Sequence, residues 1–121
     1  MYLLVTIEIL QAKGKTGVPS LPPCTPDCPV ARAAAIIEGK WTTLIIRDLL
    51  GGTKRFGELL SALDGISAKV LTERLKMLEE RRLIEKKIYP CIPPRTEYSL
   101  TPLGLHLQTL IQAMADFGSR L

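Results

Sequence analysis

The stretch from Phe56 to Arg82 constrains the fold more than any other part of the chain. Apolar residues recur there every three or four positions, stop at Asp64-Gly65 and then resume. Such spacing predicts two amphipathic helices with a turn at Gly65. The two apolar sets are Phe56, Leu59, Leu60 and Leu63, then Leu71, Leu75 and Leu78. A short helix, a turn containing Gly and a longer helix form a helix-turn-helix, which places its second helix in the major groove of DNA.

The second of these helices carries candidate DNA contacts. Ser67 is a suitable N-cap, because its hydroxyl can accept a hydrogen bond from a free N–H of the first turn. Lys and Thr side chains on the outer face can bond to phosphates or base edges, and Arg74 at its border either contacts a phosphate or braces the helix. A solvated charged face would show the same pattern, so the neighbouring elements must decide between the two interpretations. The outer face comprises Lys69, Thr72, Glu73 and Lys76.

The residues after Arg82 change from a helical to an alternating pattern. Residues 83–89 and 95–100 each resemble a short strand, and the loop at 90–94 contains three prolines. This pattern predicts a β-hairpin with a proline-stiffened tip. A hairpin directly after a recognition helix is a wing.

The positive charge of the chain is concentrated on these same elements. Ten Lys and Arg residues against six Asp and Glu lie between Lys54 and Arg95, so this segment carries the whole net charge of +4. Binding to a polyanion such as DNA requires this kind of concentration. Lys54 and Arg55, at the entrance of the motif, either contact a phosphate or stay solvated. Arg95 is expected to reach a phosphate or the minor groove, unless it pairs with Glu97 or Glu85.

Residues 1–26 differ in character from the rest of the chain. Residues 2–10 alternate weakly like a short strand, and the Gly and Pro content of 11–26 indicates an arm. The first ten residues have no basic segment before their apolar part, and no apolar run approaches the roughly 20 residues that span a bilayer. We therefore expect a cytoplasmic protein without a membrane segment, with an arm over 1–26 and one domain over 27–121.

Two helices are expected between the arm and the helix-turn-helix. Asp27 or Cys28 caps the first helix, which ends near Gly39. The second runs from about Trp41 to Gly51, and its apolar positions supply core volume.

The last helix, over about 102–121, carries an apolar stripe that needs a partner. Thr101 is its expected N-cap. The stripe packs either against the domain's own helices or against the same helix of a second subunit, and we favour a homodimer that binds inverted half-sites about 10 base pairs apart. The stripe comprises Leu103, Leu107, Leu110, Met114, Phe117 and Leu121.

Together these elements predict a mainly α protein with a small β-hairpin wing. In fold class it is α+β, a winged helix-turn-helix with a dimerising terminal helix. The expected partners are double-stranded promoter DNA with an inverted repeat and a second copy of the chain.

The order of the motifs resembles the HxlR-type family of bacterial winged-helix transcription regulators, a branch near the MarR-like proteins. The similarity rests on GKW, RFGEL, GISAKVLTERL and PPRTEYSLT, and covers about Cys28 to Gly118. It implies a dimeric promoter-binding regulator, with repression preferred to activation. It further implies that the helix from Ser67 lies in the major groove and that Arg95 lies on the wing. Residues 1–23 fall outside the family pattern.

The cysteines are the candidate sensor. In some proteins that this chain resembles, a cysteine before the first helix, matched here by Cys28, responds to oxidants or electrophiles. A helix N-terminus would lower the pKa of such a thiol and favour its thiolate. Cys24 is the candidate resolving thiol, and oxidation of Cys91 on the wing would disturb contact with DNA. The alternative is that these cysteines are inert small apolar residues.

Other classes of function fit the sequence less well. His106 is the one histidine, and neither a Gly-rich phosphate loop nor a Ser-His-Asp set can be assembled, so we expect no enzyme and no cofactor. A metal site is not expected, because three residues rather than two separate Cys24 from Cys28. The remaining alternative is a winged-helix module for protein interaction without sequence-specific DNA binding. Such a module would not need its positive charge concentrated between Lys54 and Arg95.

Overall fold

The structure is a computed structural model that describes Thr25 and residues 27–121. The strand expected over 2–10, the expected arm apart from Thr25, and Cys24 lie outside the described residues. The chain divides into two units, one ending at Ala35 and the other running from Ile36 to Leu121. Within the described residues, no helix combines the length and apolar character needed to cross a membrane.

The described elements alternate between helices and short strands. In chain order they are α1 (Pro29–Ile37), α2 (Lys40–Leu50), β1 (Lys54–Arg55), α3 (Phe56–Ala62), α4 (Ala68–Glu80), β2 (Ile84–Tyr89), β3 (Arg95–Leu100), α5 (Pro102–Leu105) and α6 (Leu107–Gly118).

Helices α3 and α4 form the predicted helix-turn-helix. Gly65 in the turn has φ 91°, a left-handed conformation that glycine adopts without a Cβ clash. The Oγ of Ser67 accepts a hydrogen bond from the Val70 N–H at 3.1 Å, which confirms the predicted N-cap of α4. At the start of α3, the Glu58 Oε1 accepts a hydrogen bond from the Arg55 N–H at 2.7 Å. Both helices therefore begin with a free N–H group satisfied by a side chain.

The strands form one antiparallel sheet in the order β1-β3-β2. The β2–β3 hairpin is the predicted wing, with Ile84 opposite Leu100 at its base. Strand β1 pairs with β3 and places Lys54 opposite Tyr98. The sequence did not predict this third strand, because a segment of two residues has no periodicity to detect.

The core lies between the inward faces of α2, α3 and α4 and the inner face of the sheet. The three leucines of α4 that were expected to point inward are at most 2% exposed. Half-buried Trp41, Leu107 and Ile111 pack against this core. Its buried apolar members are Ile45, Ile46, Leu49, Leu59, Leu63, Ile66, Leu71, Leu75, Leu78, Leu83, Ile84 and Tyr98.

The terminal helix expected over 102–121 is divided into α5 and α6, with His106 between them. Thr101 is the N-cap of α5, as predicted, and its Oγ1 accepts a hydrogen bond from the Gly104 N–H at 3.0 Å. The Thr101 N–H also donates to the Leu83 carbonyl oxygen at 3.0 Å. A Cβ on Gly104 would overlap that same carbonyl oxygen. The glycine thus permits α5 to lie directly on the backbone that links α4 to the sheet.

We expect Gly104→Ala to lower the free energy of unfolding by about 1–3 kcal/mol, since the new methyl group would displace the Leu83 backbone. Chemical denaturation measures this change. Gly57→Ala in α3 is the matched control, because a Cβ there meets no atom within 4 Å. The control should be neutral or stabilising by up to about 1 kcal/mol. Equal stability of the Gly104→Ala variant and the wild type would contradict the close approach.

Candidate nucleic-acid interface

The outer face of α4 is polar and accessible. Lys69, Thr72, Glu73 and Lys76 are all exposed, as the sequence predicted. The Thr72 hydroxyl donates its proton to the Ala68 carbonyl oxygen at 2.8 Å. Its oxygen is therefore left as an acceptor, and a donor such as a base amino group is the partner that suits it. The two lysines supply the positive charge of this face.

Arg74 differs from the lysines of α4 because its side chain is half-buried. Its guanidinium lies beside Gly39, with Nη2 3.4 Å from the position that a Cβ on Gly39 would occupy. Gly39 has φ 83° and begins α2. The side chain thus extends from α4 toward the start of α2, as a brace would, and its contact with a phosphate stays a prediction.

The outer face of the sheet carries a row of alternating charges. The register places Arg55 of β1 opposite Glu97 of β3, and Glu97 opposite Lys87 of β2. One carboxylate therefore lies between two cations in directly opposed positions, where opposite charges stabilise a sheet. With Arg95 and Glu85 on the same face, three cations stand against two carboxylates. The face keeps a net positive charge.

Arg95 is held at the base of the wing tip by two contacts. Its guanidinium lies over the Tyr89 ring, 4.4 Å from the ring centroid. Its Nε is 3.4 Å from the Glu97 Oε2, a contact that has the distance of an ion pair but not the alignment of a hydrogen bond. The pairing with Glu97 that the sequence left open is therefore present. The Lys87 ammonium also lies over the Tyr89 ring, 5.1 Å from the ring centroid.

Sequence reasoning did not single out Lys87 or Tyr89 as part of this surface. Both lie on the face of the hairpin that carries Arg95, because alternate residues of a strand share a face. The alternation was readable in the sequence. The register that brings Tyr89 opposite Arg95 depends on the loop length and could only be measured in the structure.

An open cleft of about 480 Å³ lies between the wing tip and the start of α3. Arg55 and Arg95 line it together with Phe56 and Ile92. Lys54 does not reach this cleft. It is half-buried and lines a different depression, about 340 Å³ in volume, beside Asp48 and Glu58. The two cations expected at the entrance of the motif thus occupy different surroundings.

The apolar stripe of the terminal segment is divided between two environments. Leu107 of the stripe packs, half-buried, against the core of its own unit, beside Ile111, which is not a member of the stripe. By contrast, Leu103, Met114 and Phe117 are 55%, 43% and 65% exposed. The sequence had offered packing within the domain and packing against a second subunit as alternatives. The structure uses part of the stripe for the first and leaves the rest exposed.

Cys28 precedes α1 and makes a local contact with it. Its Sγ accepts a hydrogen bond from the Ala31 N–H at 3.2 Å. This bond, opposed in part by burial, lowers the pKa of the Cys28 thiol below its usual value. The residue is 6% exposed. Cys91, at the wing tip, is an exposed free thiol.

Metal binding has no support in the part of the chain that the structure describes. No group of three or more His, Cys, Asp or Glu side chains is placed there to hold an ion.

A helix-turn-helix followed by a β-hairpin, with cations on the outer faces of both, defines the winged helix-turn-helix class of DNA-binding transcription regulators. The HxlR-like helix-turn-helix family matches residues 36–121, and the chain belongs to this family.

Relatives and solved structures agree with this assignment. The HTH-type transcriptional regulator sll1512 of Synechocystis is 45% identical over 92 residues, which cover 76% of this chain and 68% of the relative. A MarR-family transcriptional regulator from Porphyromonas gingivalis W83 has a TM-score of 0.78 at 46% identity, covering 81% of this chain and 96% of the other. The redox regulator HypR in its reduced form has a TM-score of 0.73 at 32% identity, covering 76% of this chain and 91% of the HypR chain.

We expect the alkylation rate of Cys28 to rise at lower pH than that of glutathione, because a lowered thiol pKa yields more thiolate at each pH below the usual value. The measurement is the iodoacetamide rate against pH, followed by mass spectrometry in a Cys24→Ser, Cys91→Ser background. In that background, Ala31→Pro removes the N–H donor at a first-turn position where proline is tolerated. This substitution should raise the pH at which Cys28 alkylation reaches half of its maximal rate. A wild-type midpoint at or above that of glutathione would refute the role of this hydrogen bond.

Proposed function

We propose that this protein is a homodimeric, sequence-specific repressor that binds an inverted repeat in promoter DNA. The observation that carries the proposal is the outer face of α4, whose lysines are exposed directly opposite three buried leucines. That arrangement presents a charged helix of rigid orientation to a groove. Membership of a regulator family supports the same interpretation.

The proposed contacts divide by chemistry. Lys69 and Lys76 of α4 bind phosphates or base edges in the major groove, and Thr72 accepts from a base amino group. Ser67 caps the helix at the groove and thereby positions it. Arg55 and Arg95 bind the backbone where the wing meets the minor groove, with Lys54 as a weaker contributor because it is half-buried. Arg74 braces α4 and is a further candidate for a phosphate contact.

The second subunit is proposed to cover the exposed part of the α6 stripe. Phe117 and Met114 expose apolar surface that a symmetric partner helix would remove from water. Dimerisation would also present two copies of α4 to two half-sites, so the proposed inverted repeat follows from the twofold symmetry.

Regulation is proposed to act through thiol chemistry at Cys28. The lowered pKa of this thiol favours the reactive thiolate, and Cys24 lies four residues earlier as a candidate resolving thiol. Redox regulation is the named property of HypR, to which the chain is similar. An oxidant or a small electrophile would then be the effector.

The test of the proposed function is selection from a duplex library with a randomised central segment, using reduced wild-type protein. We expect enrichment of one sequence with twofold symmetry, bound several decades more tightly than its scrambled version at physiological salt. Oxidant would then release that duplex from the wild type but not from Cys28→Ser. Recovery of no enriched sequence would overturn the DNA-reading role and favour an interaction module.

We expect Lys69→Ala and Lys76→Ala each to weaken binding to the selected duplex. The slope of log affinity against log salt should fall by about 1 for each phosphate that the variant no longer neutralises. Fluorescence anisotropy over a salt series measures both quantities. Arg32→Ala removes an exposed cation outside the 54–95 segment and serves as the charge-matched control, which should change neither quantity. Wild-type affinity in both lysine variants would remove α4 from the interface.

We expect Met114→Glu combined with Phe117→Glu to give monomers, because a symmetric interface would bring the new carboxylates together and lose the burial of two apolar side chains. Light scattering after size exclusion measures the mass. Gln108→Glu adds charge to the face of the same helix opposite Phe117 and should leave the dimer intact. A dimer that persists in the double variant would place the interface elsewhere. These positions are chosen because Leu107 packs in the core, where a charge would unfold the subunit.

A further inference from the structure

The tip of the wing carries an apolar side chain that the fold leaves wholly in water. Ile92 is 101% exposed, more than any other large apolar residue described. Ile88, lower on the same hairpin, is 60% exposed. A loop that served only to connect two strands would ordinarily carry polar residues at its tip. Ile92 is therefore available for contact with a partner surface.

The tip is short and stiff. The β2–β3 ladder ends with Tyr89 opposite Arg95, so only residues 90–94 form the loop. Three of these five residues are proline, and the Cys91 N–H donates to the Tyr89 carbonyl oxygen at 2.9 Å. Since proline restricts the backbone, little conformational entropy remains to be lost on binding. Ile92 is thus presented on a loop that is ready to bind.

The surroundings of Ile92 indicate the chemistry of its partner. Arg55 and Arg95 line the same cleft as Ile92, and Lys87 lies on the same face as both arginines. We call Arg55, Lys87 and Arg95 the cationic collar. An apolar tip within a cationic collar is complementary to a surface with apolar walls and flanking anions. The minor groove of DNA is such a surface, with deoxyribose walls between two rows of phosphates.

The hairpin begins close to the end of α4. Only residues 81–83 separate the end of α4 from the start of β2. With α4 in a major groove, we therefore expect the hairpin to reach the adjacent groove, which is a minor groove.

We propose, on the basis of the function proposed above, that Ile92 enters the minor groove as an apolar wedge while the cationic collar binds the flanking phosphates. Apolar wedges of this kind partly unstack one base step and bend the duplex by about 20–90°. The cost is lowest at flexible pyrimidine–purine steps, TA above all. Ile92 therefore selects sequence through the deformability of the DNA, at a position outside the bases that α4 reads.

The test uses the duplex that the wild type selects from the randomised library, with Ile92→Ser as the variant. We expect affinity to fall about 3- to 30-fold from the loss of apolar contact, while the salt slope stays unchanged because no charge is removed. The bend, measured by energy transfer between labelled duplex ends, should decrease. Replacing the TA step under the wing by a GC step should weaken the wild type and leave Ile92→Ser nearly unaffected.

Ile88→Ser is the matched control, since it removes the same side chain from an exposed position on the same hairpin. It should bind within about twofold of the wild type and bend the duplex equally. Thermal unfolding of both variants should match the wild type, which excludes loss of fold as the cause.

Two results would overturn the wedge. The first is wild-type affinity and bending in Ile92→Ser, which would assign the tip to a protein contact. The second is an equal loss of affinity and of bending in Ile92→Ser and Ile88→Ser. Failure of the wild type to select any sequence would overturn the proposed function as well as the wedge. The selection is done before either variant is tested, so the two failures can be told apart.

Discussion

The burial of one face of α4 is the constraint on which the rest of the structure depends. Leu71, Leu75 and Leu78 are at most 2% exposed, and helices α2 and α3 and the sheet pack around them. Because a helix is rigid, fixing these three side chains also fixes the direction of every residue on the opposite face. Lys69 and Lys76 are therefore aimed by the core. The same packing that stabilises the unit determines what it can present to a groove.

The sheet adds a second surface, and its charges are organised by strand pairing. Glu97 lies between Arg55 and Lys87 in one row of opposed residues, and Tyr89 lies against Arg95 in the next. These contacts orient the arginines without neutralising the surface, since three cations stand against the carboxylates of Glu97 and Glu85. An Arg95 that pairs with Glu97 is thus compatible with an Arg95 that faces DNA. The pairing with Glu97 is present in the structure, and the contact of Arg95 with DNA stays a prediction.

The periodic parts of the chain were predictable, and the non-periodic parts were not. The helix-turn-helix, the Ser67 and Thr101 caps and the wing hairpin follow from spacing and local hydrogen-bonding chemistry, and the structure confirms them. Strand β1 was missed because two residues carry no pattern. The break at His106 was also missed, because the apolar stripe continues through it while the close approach of Gly104 to Leu83 belongs to tertiary packing.

The sequence by itself determined the class of this protein: which residues form the second helix of the helix-turn-helix, which form the wing, and where the positive charge is concentrated. These properties are local, because periodicity and capping depend on residues within a few positions of one another. Only the tertiary structure decided which part of the apolar stripe packs against the core, that Arg74 lies beside Gly39, and that Ile92 is fully exposed near the cationic collar. Those outcomes depend on distances between residues far apart in the chain, which spacing along the sequence does not specify.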